Sequence, residues 1–151
     1  MQTITPFLWF EDNAEDAVNF YLAVFKNGKV LGRTPAEGKP LTIIFEVNGQ
    51  RLMALNGGPY HQFNEAISLL VSCETQDEID ELWEKLSEGG SKGRCGWLKD
   101  KFGLSWQVTP KDLGKWMSDA RKSKAVLDAV MKMDKLVIAD MKKAYEEEVA
   151  A

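Results

Sequence analysis

Histidine and cysteine are almost missing from this 151-residue chain, which has one imidazole, His61, and two thiols, Cys73 and Cys95. A zinc site of the common Cys/His kind draws three or four such donors from short spacings, and no C-x-x-C pair is present. That chemistry is therefore hard to assemble. In a reducing compartment the two distant cysteines are expected as free thiols rather than a disulfide. An excess of positive charge is also lacking. The formal net charge is -4 and the pI is near 5.1, so neither nucleic acid nor an anionic membrane surface is an expected partner. No apolar run approaches the roughly 20 residues that span a bilayer. The stretch Met1 to Asp12 has no basic region ahead of its apolar residues, so a cytoplasmic protein without a signal peptide is the expectation.

What is present is ordinary globular composition, 44% hydrophobic and 28% charged, in a length that suits one well-buried domain. Phe7-Leu8-Trp9-Phe10 reads as a buried strand. A helix follows, with Asn13 as N-cap, Glu15 and Asp16 in the first turn, and Ala17, Phe20, Tyr21 and Val24 at helical spacing. Asn27-Gly28 supplies its stop. The same order returns from Leu69. Leu69-Leu70-Val71 is strand-like, Thr75 with Glu78 forms a capping box, and Ile79, Leu82, Trp83 and Leu86 carry the helical period. Shifted by 62 positions the two segments coincide, with Phe7 on Leu69, Leu8 on Leu70 and Ala17 on Ile79.

After the first helix three strands are expected, at Lys29 to Thr34, Leu41 to Val47 and Arg51 to Asn56. The last two are joined by the hairpin signal Asn48-Gly49. After the second helix come Cys95 to Leu98 and Leu104 to Val108, and Gly57-Gly58-Pro59 marks the link between halves. The fold class is therefore α+β, two βαβββ modules at about 1–57 and 63–110. Residues 111–151 form a helical C-terminal extension with near-equal numbers of acids and bases. Its stripes are Val126, Val130 and Met133, then, after Asp134 as N-cap, Ile138, Met141 and Tyr145. Such a tail docks either on the sheets or on a partner subunit.

Several segments together resemble a known family: Thr5-Pro-Phe-Leu-Trp-Phe, Ala17-Val-Asn-Phe-Tyr21, Asn48 to Pro59, Phe63 to Ser68, and above all Cys95 to Val108 with its Gly-Leu-Ser-Trp-Gln. They are similar to the PhnB-like, 3-demethylubiquinone-9 3-methyltransferase-like branch of the vicinal-oxygen-chelate superfamily, which includes glyoxalase I and bleomycin-resistance proteins. The resemblance covers about residues 3 to 110. It implies an open, cup-like sheet, usually in a homodimer, with a metal held in catalytic members by the first and last strands of each module. Carried onto this chain, those ligand positions fall at Thr5, Met53, Ser68 and Gln107. Only Gln107 is a residue of the expected kind, so no metal and no cofactor is expected. The methyltransferase label fares no better. Gly57-Gly58 precedes proline and opens no helix, unlike the glycine-rich turn that holds a nucleotide-type methyl donor.

The candidate ligand-binding residues are Thr5, Phe7, Trp9, Met53, Ser68, Cys95, Trp97, Ser105 and Gln107. Alternation places Ser105 and Gln107 on one strand face and Leu104 and Trp106 on the other. Phe7 and Trp9 share a face with Thr5 and offer an aromatic wall, or are simply core. Cys95, beside Arg94, reads as a reactive thiol or a structural one. His61 and the carboxylates Glu46 and Glu65 complete the polar inventory, with no pairing motif. Three functions follow: a metal-free module binding a small molecule, a metal-independent lyase or transferase with unassigned catalytic residues, or an interaction protein acting through its tail.

Overall fold

In the computed structural model residues 1–147 are described, so the last four residues of the expected tail lie outside the description. The chain divides into two compact units, Met1–Phe63 and Asn64–Ala151. In the first, β1 (Phe7–Phe10) leads to α1 (Ala14–Phe25), then β2 (Gly28–Arg33), β3 (Thr42–Val47) and β4 (Gln50–Asn56). The sheet order is β1-β4-β3-β2, with β1 parallel to β4 and the other pairs antiparallel. Helix α1 buries Ala14, Ala17, Val18, Tyr21 and Val24, the stripe that the helical period marks in the sequence. The β3–β4 hairpin turns at Asn48 (φ 47°) and Gly49 (φ 81°), the two successive left-handed residues that this two-residue turn demands.

Two local expectations give way, the N-cap to a partner distant in sequence and the stop to the residue just before Asn27. Asn13 stands at the N-cap but makes no side-chain cap bond. The orphan amide of Ala14 donates instead to Asn56 Oδ1 at 2.9 Å, while Asn56 Nδ2 donates to the Pro40 carbonyl at 2.9 Å. At the other end α1 stops at Lys26 in the left-handed conformation (φ 57°), its N–H donating to the Leu22 carbonyl at 3.2 Å. Gly28 does not cap; it opens β2. A Cβ there would lie 2.4 Å from the Glu46 carbonyl oxygen, so only glycine lets the strand come so close.

The second unit repeats the order with β5 (Leu69–Cys73), α2 (Gln76–Ser87), β6 (Ser91–Lys92), β7 (Trp97–Lys99) and β8 (Ser105–Pro110), arranged β5-β8-β7-β6. The capping box forms: Glu78 N–H donates to Thr75 Oγ1 at 3.2 Å, and Thr75 N–H to Glu78 Oε2 at 3.3 Å. Helix α2 begins and ends 62 positions after α1, at Gln76 against Ala14 and Ser87 against Phe25. The strands do not keep that offset. Phe7 faces Met53 across its ladder, and the corresponding pair in the second unit is Leu70 with Gln107. Phe7 therefore corresponds to Leu70, not Leu69, and Leu8 to Val71. Three residues separate Phe10 from α1, but only Glu74 and Thr75 separate Cys73 from α2. With a side-chain period of two, that missing residue flips every side chain of β5 against the expected match.

Beyond Pro110 come α3 (Leu113–Ser118), α4 (Ser123–Val130) and α5 (Ile138–Glu147). Trp116, Val126, Val130, Leu136 and Met141 form their buried cluster, with Met133, Ile138, Tyr145 and Cys95 packed against it. The expected stripes are thus the packed ones, but Asp134 does not cap. Helix α5 starts at Ile138, whose amide donates to Gln76 Oε1 of α2 at 2.8 Å. Among the described residues no helix is long and apolar enough to cross a membrane.

The segment Asp100 to Trp106 closes the β7–β8 hairpin around one carboxylate. Asp100, 2% exposed, accepts from Phe102 N–H (2.9 Å) and Leu104 N–H (3.1 Å) at Oδ1, and from Trp106 Nε1–H (2.9 Å) at Oδ2. Gly103 turns the chain at φ 87°. Three donors thus converge on the group, two of them on or beside buried side chains. Removing the acceptor leaves them unsatisfied, and each such loss costs about 1–3 kcal/mol. Asp100→Ala should lower stability by about 3 kcal/mol or more, read as a lower urea midpoint at unchanged slope. An unchanged midpoint would remove Asp100 as the organiser of the loop. Burial also pushes the Cys73 thiol up to about 11, with the negative charge of Glu78 adding to the shift. Below that pH Cys73 stays protonated, so iodoacetamide at pH 8 should modify Cys95 in the folded protein and spare Cys73.

Candidate functional site

In the first unit one sheet face is committed to α1. Leu8, Phe10, Ile43, Phe45, Val47, Leu52 and Ala54 on it are all buried. The ladder sends Phe7, Trp9, Ile44, Met53 and Leu55 to the opposite face. Phe7 is 55% exposed there, and Trp9, Ile44, Met53 and Leu55 are half-buried. Thr5 lies two residues ahead of β1, half-buried, next to Pro6, whose carbonyl accepts from Met53 N–H at 3.0 Å.

Trp9 is held in place rather than merely packed. Its Nε1–H donates to the Gly58 carbonyl at 2.9 Å. Gly57 lies flat against the indole; a Cβ on it would sit 2.4 Å from Trp9 ring carbons. His61 meets the ring edge-on, with centroids 4.7 Å apart and planes at 80°. The stretch Gly57-Gly58-Pro59, read in the sequence as a link, is therefore the bed of an indole. The double glycine was its signal, since close backbone approach to a large ring needs a residue without a side chain.

In the second unit Gln107 Nε2 donates to Ser68 Oγ at 2.9 Å. Trp97 is the cross-strand partner of Gln107 on β7, and Leu70, 56% exposed, is its partner on β5. Ser105 shares this face and opposes Lys99, which forms an ion pair with Glu65. The Ser105 hydroxyl is the buried side-chain polar atom that finds no hydrogen-bond partner among the described residues. Ser68, Trp97, Ser105 and Gln107 are thus brought together on one face, with Glu65, already named in the sequence, and Lys99, which the sequence did not single out, as neighbours. Cys95 is not among them. Its thiol turns to the C-terminal helices, with Sγ 3.7 Å from Met131 Sδ.

Each unit was expected to offer a pair of metal-ligand positions, Thr5 with Met53 and Ser68 with Gln107. The first pair is a hydroxyl and a thioether, which a hard divalent cation does not choose. In the second, the Ser68 hydroxyl already accepts from Gln107 Nε2, which leaves the Gln107 amide oxygen as the single donor of the expected kind, and one such oxygen does not hold a cation. Among the described residues no group of three His, Cys, Asp or Glu stands where it could hold a metal ion. The donor set does not fit the metal of the superfamily's catalytic members.

A family model described as 3-demethylubiquinone-9 3-methyltransferase matches residues 2–109. A solved structure described as a putative 3-demethylubiquinone-9 3-methyltransferase, PhnB protein, from Bacillus cereus is 36% identical with a TM-score of 0.66; the match covers 72% of this chain and 99% of that one. A Pseudomonas aeruginosa protein, 23% identical over 73% of this chain and 98% of its own, has a TM-score of 0.61 and supports the fold. So does the Listeria monocytogenes fosfomycin resistance protein FosX, solved with Mn(II) and sulfate, at 12% identity, TM-score 0.54, and coverage of 72% of this chain and 89% of its own. Among curated proteins none matches. A βαβββ order repeated in two four-stranded sheets, together with this match, places the chain in the PhnB-like, 3-demethylubiquinone-9 3-methyltransferase family, with the fold of the vicinal-oxygen-chelate superfamily.

Proposed function

We propose that this chain binds a flat, mainly apolar small molecule without a metal, on the sheet face of the first unit that α1 leaves free. The observation that carries the reading is the first unit's free face. Phe7, exposed, and Trp9, Ile44, Met53 and Leu55, half-buried, form a partly exposed apolar surface, and Trp9 is fixed there by Gly57, Gly58 and His61. Exposed apolar patches of this kind mark binding sites, and a preset indole loses little freedom when a ring stacks on it. The second unit carries a hydrogen-bonding pair of its own, the Gln107 amide and the Ser68 hydroxyl. Beside them Lys99 is engaged by Glu65.

The family's description names a quinone-derived ring, whose shape suits such a surface. Methyl transfer is not part of the reading, because Gly57 and Gly58 are occupied by the Trp9 side chain. A homodimer in the cytoplasm remains the proposed assembly and place. Ile67 and Leu70, 61% and 56% exposed, support a second copy of the chain as their cover.

A thermal-shift screen of substituted quinones, catechols and other flat aromatics tests the proposal. At least one should raise the midpoint in a concentration-dependent way. Trp9→Ala should weaken that compound by about tenfold or more. A screen without a hit, or a hit indifferent to this substitution, contradicts the reading. Mn2+ and Ni2+ should leave the midpoint of the free protein within about 1 °C, since RT ln(1 + [L]/Kd) vanishes without a site. A saturable rise with either cation would restore the metal.

A further inference from the structure

The family match ends at residue 109, yet the segment between α4 and α5 reaches back into the second module through its backbone. The turn before β7 places Cys95 (φ 58°) and Gly96 (φ 82°) consecutively in the left-handed region, an arrangement that a non-glycine residue adopts only when its surroundings hold it. What holds it is a pair of successive carbonyls from the tail. Cys95 N–H donates to Met133 O at 2.8 Å, and Gly96 N–H to Asp134 O at 2.7 Å. Arg94 adds a bond from Nη2 to Met131 O at 2.6 Å.

The Gly96 peptide then passes the constraint inward. Its carbonyl accepts from Val108 N–H at 2.8 Å, one residue from Gln107. The fit is tight on both sides, for a Cβ on Gly96 would lie 2.8 Å from Val108 O and 3.1 Å from the Leu136 side chain. The far end of the segment is anchored on α2. Gln76 donates from Nε2 to Leu136 O at 3.1 Å and accepts from Ile138 N–H at 2.8 Å, and Lys135 pairs with Asp80 at 2.7 Å.

The module has reason to need this support. Its outer ladder consists of two residue pairs, Ser91 with Lys99 and Lys92 with Leu98, where the first module's β2 and β3 share five. So short a ladder does not hold itself in water. We propose that residues 131–138 are a strap that completes the second module: docked, it fixes the Cys95–Gly96 turn and through it β7 and the Gln107 stretch of β8; undocked, it lets them open. The inference concerns the module's folding and stands whether or not a ligand binds.

Amide hydrogen exchange on the full chain tests it, comparing the parent with Gln76→Ala, which removes two strap bonds, and Leu136→Asp, which puts a charge into the buried cluster. The expected result is faster exchange, by about tenfold or more, at Cys95 and Gly96 and equally at Trp97 and Val108, while Leu52 to Leu55 of the first unit keep their protection. If Leu136→Asp melts the whole second unit, Gln76→Ala alone decides. Opening confined to Cys95 and Gly96, with Trp97 and Val108 unchanged, would reduce the strap to an ornament and overturn the proposal. Parent-like protection at all four amides in Gln76→Ala would do the same.

Discussion

In each unit the first strand lies parallel to the last, and most of the architecture follows from that ladder. Parallel neighbours cannot be joined by a tight turn, so the chain between them must travel out and back. It does so through one helix and two further strands. The helix covers one face of the sheet it has left, and the ladder alone decides which side chains it covers. Phe7 beside Met53, and Leu70 beside Gln107, are therefore fixed by strand pairing before any ligand is considered. The committed face and the free face are two results of one constraint.

Much of this was legible, and the misplaced caps share a cause. The stripe of α1, the capping box at Thr75 and Glu78, and the Asn48-Gly49 turn are set by residues within a few positions of one another, so spacing reveals them. Asn56 capping α1 and Gln76 capping α5 act across 42 and 62 positions, and no local pattern carries such a signal. Cap residues nearer by, Asn13 and Asp134, were plausible and idle. The strand offset failed for a different reason. Both readings of β5 place apolar residues on both faces, so its composition could not register the single missing residue before α2.

The candidate site was legible as a list more than as an arrangement. Alternation correctly grouped Ser105 with Gln107 and Phe7 with Trp9, because strand period is a strong local rule. It could not show that Ser68 accepts from Gln107, that Cys95 turns to the tail, or that two glycines and a histidine seat Trp9. The metal positions illustrate the same divide. Residue types at Thr5, Met53 and Ser68 already argued against a cation, whereas the bond from Gln107 to Ser68 is visible only in the fold.

The most recognisable stretch of the chain, Cys95 to Val108, owes its character to Asp100. One carboxylate gathers two backbone amides and an indole, Gly103 makes the bend, and Trp106 covers the result. Asp100, Phe102, Gly103, Leu104 and Trp106 of this stretch are spent on closing a hairpin. The residues that would meet a ligand stand outside this knot of bonds or at its margin, where a substitution disturbs little of it. The hairpin and the free faces thus rest on different residues, so this stretch specifies a way of folding and leaves open what is bound.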